Sequence, residues 1–192
     1  GYPTYQAACS LAGATVVPYE LSEKTGWLPD LDALEARDLS KVKIMWVNYP
    51  HMPTGAKANL AFFERLKNFA EKHSILIVND NPYSFILNDE PISMLAIPGM
   101  MEVGIELNSL SKSHNMAGWR IGALLGQSEF LNPVLKFKSN MDSGMFLPLQ
   151  LAAVEALSAD ANWFKQQNTI YKSRQKLVFK LLDLLGCTYD QA

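Results

Sequence analysis

The sequence predicts an α/β fold, a mostly parallel sheet flanked by helices, on three observations. Residues 43–48 and 75–79 are continuous apolar runs, as expected of strands buried on both faces. Between them, residues 59–73 place Leu60, Phe63, Leu66 and Phe69 at a helical period on one face. Each apolar run is followed at once by a polar cluster, and open α/β sheets bind ligands at the C-terminal ends of their strands.

In chain order, residues 14–19 are short and β-branched and read as the first strand. Residues 43–48, then helix 59–73, then residues 75–79 make a strand–helix–strand unit, and residues 101–107 and 120–125 supply two more strands. The last quarter is helical, with residues 147–156 and then 162–185, where Ile170, Leu177, Leu181 and Leu185 lie roughly along one face. That second helix exceeds the globular mean, as a helix bridging to another body would. The chain opens on Gly1-Tyr2-Pro3 without an initiating methionine and closes soon after this helix. A piece of a longer protein is expected on those grounds.

Composition narrows the class of function. With 192 residues, 48% of them hydrophobic, the chain can bury a substantial core. Net charge is −2 and the basic residues are scattered, so nothing argues for a nucleic-acid or membrane-surface partner. No apolar run reaches the length of a membrane span and no leader opens the chain, which makes the cytoplasm the default location. Cys9 and Cys187 read as buried thiols of a reducing compartment rather than as a disulfide. The three histidines suggest no metal site: His73 ends a helix, while His51 and His114 fall in loops that line the crevice. No glycine-rich nucleotide loop is present.

The chemistry concentrates at three strand ends. The first carries N-Y-P-H-M-P-T-G (48–55), the second D-N-P-Y (80–83), and the third S-L-S-K (109–112) followed by G-W-R-I-G (118–122). A lysine at a strand end facing a crevice is unusual unless its amine reacts. Desolvation there favours the free amine, which a Schiff-base lysine needs. Lys112 alone is a weak signal, since most lysines are solvated. The serines beside it and Arg120 beyond suit a phosphate held close to that amine. Asp80 reads either as a turn former or as the partner of a protonated pyridine nitrogen. Tyr83 is either a half-buried aromatic or a hydroxyl donor to the same ligand. Asp142-Ser143-Gly144 reads as a plain turn.

In combination these motifs resemble the class I/II aminotransferases, pyridoxal-phosphate enzymes of the aspartate aminotransferase fold (fold type I), over nearly the whole chain. The resemblance implies an incomplete large domain at residues 1–160. Residues 161–192 would then be a long linking helix and the start of a truncated small domain. It implies that Lys112 forms a Schiff base with pyridoxal 5′-phosphate and shuttles a proton, and that Ser109, Ser111 and Arg120 hold the phosphate. Asp80 would pair with the ring nitrogen, Tyr83 would donate to the cofactor's O3′, and Tyr2 would stack on the ring, with Tyr5 as the fallback. The motifs at 48–55 and at 138–144 (K-S-N-M-D-S-G) look most like the branch around LL-diaminopimelate and alanine aminotransferases.

The implied reaction moves an amino group from an amino acid to a 2-oxo acid in a homodimer. A carbon–sulfur lyase on the same fold and a non-catalytic fragment are the alternatives. Two departures stand out. The family motif has asparagine before P-T-G, whereas Met52 stands here, and a thioether cannot donate a hydrogen bond. Losing a bond to a charged oxygen costs roughly 1.5–3 kcal/mol, unless Asn48 or water substitutes. The family's N-terminal arm and phosphate loop would precede Gly1, and its substrate-gripping arginine would follow Ala192.

Overall fold

The computed structural model describes residues 2–190. Strands β1 (Ile44–Val47), β2 (Leu76–Asp80), β3 (Gly104–Ser109) and β4 (Gly122–Leu125) form one sheet in that spatial order. The first three are parallel and β4 returns antiparallel, so the sheet is mostly parallel, as the sequence predicts. Parallel neighbours in sequential order bring the C-terminal ends of β1, β2 and β3 to a single edge.

The helices are α1 (Pro3–Leu11), α2 (Leu31–Glu35), α3 (Leu60–His73), α4 (Leu110–Ser113), α5 (Ser128–Met141), α6 (Leu147–Leu157) and α7 (Ala161–Leu184). Helix α3 starts where the Asn59 side chain accepts from Phe62 N at 2.8 Å, and it stops at Ser74 in the left-handed region. It buries Phe62, Phe63, Leu66, Phe69 and Ala70 against Met45 and Val47 of β1 and Ile77 of β2. Met94 and Met100, in the connection from β2 to β3, complete this core. That connection carries only 3₁₀ turns, at Met94–Ala96 and Met100–Glu102, in place of a crossover helix.

Four features differ from the sequence reading. Residues 14–19 form no strand: no neighbouring strand pairs with them, Pro18 lacks a donor, and Val16 and Val17 stay partly exposed. Helices α1 and α5 are absent from the sequence reading, because neither buries a residue and Pro133 sits inside α5. The cysteines are free but not buried, Cys9 lying half-buried in α1 and Cys187 exposed beyond α7. Finally, α7 docks by other residues than its apolar row. Buried Asn168 accepts from Leu87 N at 2.8 Å and donates to Phe85 O at 3.1 Å, while Phe164 stacks on Phe85 and Trp163 Nε1 donates to Ser113 O. Ile170, Leu177, Leu181 and Leu185 remain open to solvent, as do Phe137 of α5 and Leu151 of α6.

Two tyrosines, Tyr49 buried and Tyr19 partly buried, tie loops to the sheet. Tyr19 donates to Trp46 O at 2.5 Å and Tyr49 to Trp27 O at 2.6 Å, and burial raises both phenols above the ordinary 10.0. Their contribution is complete below the unfolded value and is lost as pH climbs towards the folded one, because the unfolded chain gives up those protons first. The urea midpoint is therefore expected to fall steadily above about pH 10, with a shallower fall in Tyr19→Phe. In the same assay, Leu66→Ala at a fully buried site should cost about 2–5 kcal/mol. Leu60→Ala, at a half-exposed position of the same helix, should cost no more than about 0.5 kcal/mol.

Candidate active site

Asp80 ends β2 at the shared edge and is only partly buried. Its carbonyl accepts from Asn48 Nδ2 at 2.6 Å, which binds the end of β1 to the end of β2. Its Oδ2 accepts from the Tyr5 hydroxyl at 2.5 Å. Tyr5 lies flat on Trp46, with ring centroids 4.8 Å apart and planes at 17°, and Tyr2 meets its edge at 6.2 Å. Burial, and then the bond to Asp80, push the Tyr5 phenol well above its ordinary range, so it remains a donor. Burial and the neighbouring Asp80 also raise Tyr83. Tyr2, Tyr5, Asp80 and Tyr83 thus form one cluster. The sequence reading held Tyr5 as the fallback for ring stacking, but one face rests on Trp46 and its hydroxyl is committed to Asp80. Tyr2 is half exposed.

The second cluster follows β3. Ser109 caps the short helix α4 by accepting from Ser111 N at 3.1 Å. The chain then turns through Arg120, which has a positive φ of 57°, and returns as β4. Gly122 pairs with Ser109 across the strands, where a Cβ would meet Asn108 O at 2.8 Å. Only glycine lets the two backbones approach that closely. Ser109, Ser111 and Arg120 line one open pocket with Ile121 and Gly122. One Arg120 nitrogen donates to Ala117 O at 2.9 Å. Its other nitrogens and the Ser111 hydroxyl have no hydrogen-bond partner among the described residues. A pocket rich in free donors and without a carboxylate fits a phosphate.

Lys112 lies on α4, between Ser111 of that pocket and buried Ser113. Its side chain is exposed rather than desolvated, and its ammonium makes no ion pair among the described residues. The desolvation expected from the sequence is therefore not met within this chain. A helix of four residues at a sheet edge covers nothing, and no other element among the described residues closes over it.

The loop after β1 carries the departure at Met52. The Tyr83 hydroxyl donates to Met52 Sδ at 3.5 Å, where the family pattern would put an asparagine amide. Asn48 is no free substitute: besides its bond to Asp80 O, its Oδ1 accepts from Met52 N at 3.0 Å. His51 is also held inside this loop, Nδ1 to Thr54 Oγ1 at 2.8 Å, and burial pushes its pKa down. His114 is buried against Trp163 and Phe164, with Ser113 Oγ at 2.8 Å from its Nδ1.

Sequence reasoning weighed Asn48 only as a substitute donor and missed Asn79, Asn81 and Glu106 as supports of the site. Asn79 and Asn81 flank Asp80, and Glu106 interrupts the apolar run of β3. A charged residue inside an otherwise apolar strand was the signal available.

Known proteins resemble this chain in sequence and fold. The family described as Aminotransferase class I and II matches residues 1–190. An LL-diaminopimelate aminotransferase of Dehalococcoides mccartyi is 42% identical over 187 residues, covering 96% of this chain and 48% of the relative. Among solved structures, substrate-bound BacF from Bacillus subtilis superposes with a TM-score of 0.91 at 37% identity, over 95% of this chain and 47% of that one. A probable N-succinyldiaminopimelate aminotransferase from Thermus thermophilus gives 0.88 at 33% identity, over 95% of this chain and 50% of that one. The chain spans about half the length of the curated relatives it matches. With the family matching nearly every residue, and the Asp80 and Ser109–Arg120 clusters standing at adjacent strand ends, this chain belongs to the class I and II aminotransferases.

Proposed function

We propose that the protein of which this chain is the core transfers an amino group from an amino acid to a 2-oxo acid with pyridoxal 5′-phosphate. The observation that carries the reading is the pairing of a donor-lined pocket with a carboxylate on the neighbouring strand end. Ser109, Ser111 and Arg120 bind the cofactor phosphate as hydrogen-bond donors, Arg120 adding a full charge. Asp80, whose Oδ1 has no protein partner among the described residues, keeps the ring nitrogen protonated. Tyr83 donates to O3′, and Tyr2 packs on the ring face. The cofactor supplies a conjugated ring that accepts electrons when the amino acid loses its Cα proton. Lys112 Nζ anchors the cofactor, then takes that proton and returns it.

The relatives named for LL-diaminopimelate and for N-succinyldiaminopimelate support a dicarboxylic or diamino acid substrate. Residues 1–160 serve as the cofactor-binding core, and residues 161–192 link it to a second domain. The open apolar faces of α5 and α6 suit burial in a homodimer. Free cysteines are consistent with the cytoplasm.

In the full-length protein, Lys112→Ala is expected to abolish both keto-acid exchange and the absorbance band that added cofactor gives the parent. Retention of either overturns the assignment. Release of pyruvate and ammonia from a cysteine conjugate, without keto-acid exchange, would instead identify a lyase. Met52→Asn should restore the missing donor and tighten cofactor binding by about tenfold, read from titration of the cofactor-free protein. An unchanged dissociation constant would mean that O3′ is not near residue 52.

A further inference from the structure

Asp80 is held from both sides. Asn79 and Asn81 flank it, and strand alternation puts their side chains on the face opposite its own. Both are fully buried, and both spend an amide N–H on the same carboxylate: Asn79 Nδ2 donates to Glu106 Oε2 at 3.0 Å and Asn81 Nδ2 to Glu106 Oε1 at 3.2 Å. Glu106 is itself only 4% exposed, stands opposite Asn79 in the parallel register, and takes a third bond from Met94 N at 3.0 Å. It has no cationic partner among the described residues.

A buried carboxylate without a counter-ion is costly, and an apolar residue would fill the same core position at less expense. Packing alone therefore gives no reason for Glu106. Its bonds do. The outer ends of the asparagines run on into the site: Asn79 Oδ1 accepts from Tyr49 N at 3.1 Å, and Asn81 Oδ1 accepts from Ser84 Oγ at 2.5 Å. One carboxylate thus connects the loop carrying Met52, the peptide of Asp80, and the turn carrying Tyr83.

We propose that Glu106 is a positioning residue of this site. By gripping the asparagines on both sides of Asp80, it locks the Asp80 peptide so that the carboxylate faces the ring nitrogen of the bound cofactor. The inference rests on the cofactor reading given above. Glu106 touches neither substrate nor cofactor, and its effect on the ring-nitrogen contact runs through Asp80.

The test uses the full-length protein freed of cofactor, titrated with pyridoxal phosphate and with its analogue carrying C–H in place of the ring nitrogen. Glu106→Leu is expected to weaken pyridoxal phosphate by about tenfold and to leave the carbon analogue within about twofold of the parent. Glu106→Gln, which keeps the volume and an acceptor oxygen, should recover most of the loss. Should Glu106→Leu not fold, Glu106→Asp retains the charge but withdraws it from the asparagines, and the same selective loss is expected in smaller degree. Equal loss on both ligands, or no loss on either, overturns the role of Glu106. Asp80→Ala separates this from the cofactor reading: it must itself lose pyridoxal phosphate selectively. A parent that binds no cofactor, or an Asp80→Ala protein without selectivity, overturns that reading instead.

Discussion

The parallel register of β1, β2 and β3 is the constraint from which the site follows. Parallel strands in sequential order end on the same side, so the residues after Val47, Asp80 and Ser109 meet at one edge although they are far apart in sequence. The helix-bearing face fixes that register: Phe63 and Leu66 of α3 wedge against Met45, Val47 and Ile77, and a slip of one residue would turn those side chains to the opposite face. Antiparallel β4 then folds the Arg120 turn back onto Ser109, which is possible because Gly122 carries no side chain there.

Two polar devices complete the edge. On the crevice face, Asn48 and Tyr5 hold the carbonyl and carboxylate of Asp80. On the opposite face, Glu106 collects Asn79 and Asn81. Each buried amide thereby finds a partner, as burial requires. The Ser109 pocket differs in kind. Ser111 and most of the Arg120 nitrogens are left without acceptors among the described residues, and such a pocket gains most from an anion.

Much apolar surface is exposed on the helices. Helices α5 and α6 bury no residue, and the apolar row of α7 faces solvent. Lys112 is exposed as well, since no element among the described residues closes over it. The curated relatives matched by the chain are about twice its length.

By itself the sequence located all four strands of a mostly parallel sheet and helix α3, and it nominated Lys112, Asp80, Tyr83, Ser109, Ser111 and Arg120 as one constellation. Local signals suffice there, because continuous apolar runs and strand-end clusters are read within a few residues of each other. Only the tertiary structure decided that residues 14–19 join no sheet, since strand formation needs a partner edge that composition does not reveal. It alone showed Tyr5 bonded to Asp80 across 75 residues of chain, and the Tyr83 hydroxyl donating to Met52 Sδ. It also turned Glu106 from an oddity in an apolar strand into the centre of a buried network. Those contacts join distant segments, and no local pattern encodes which buried donors a carboxylate will meet.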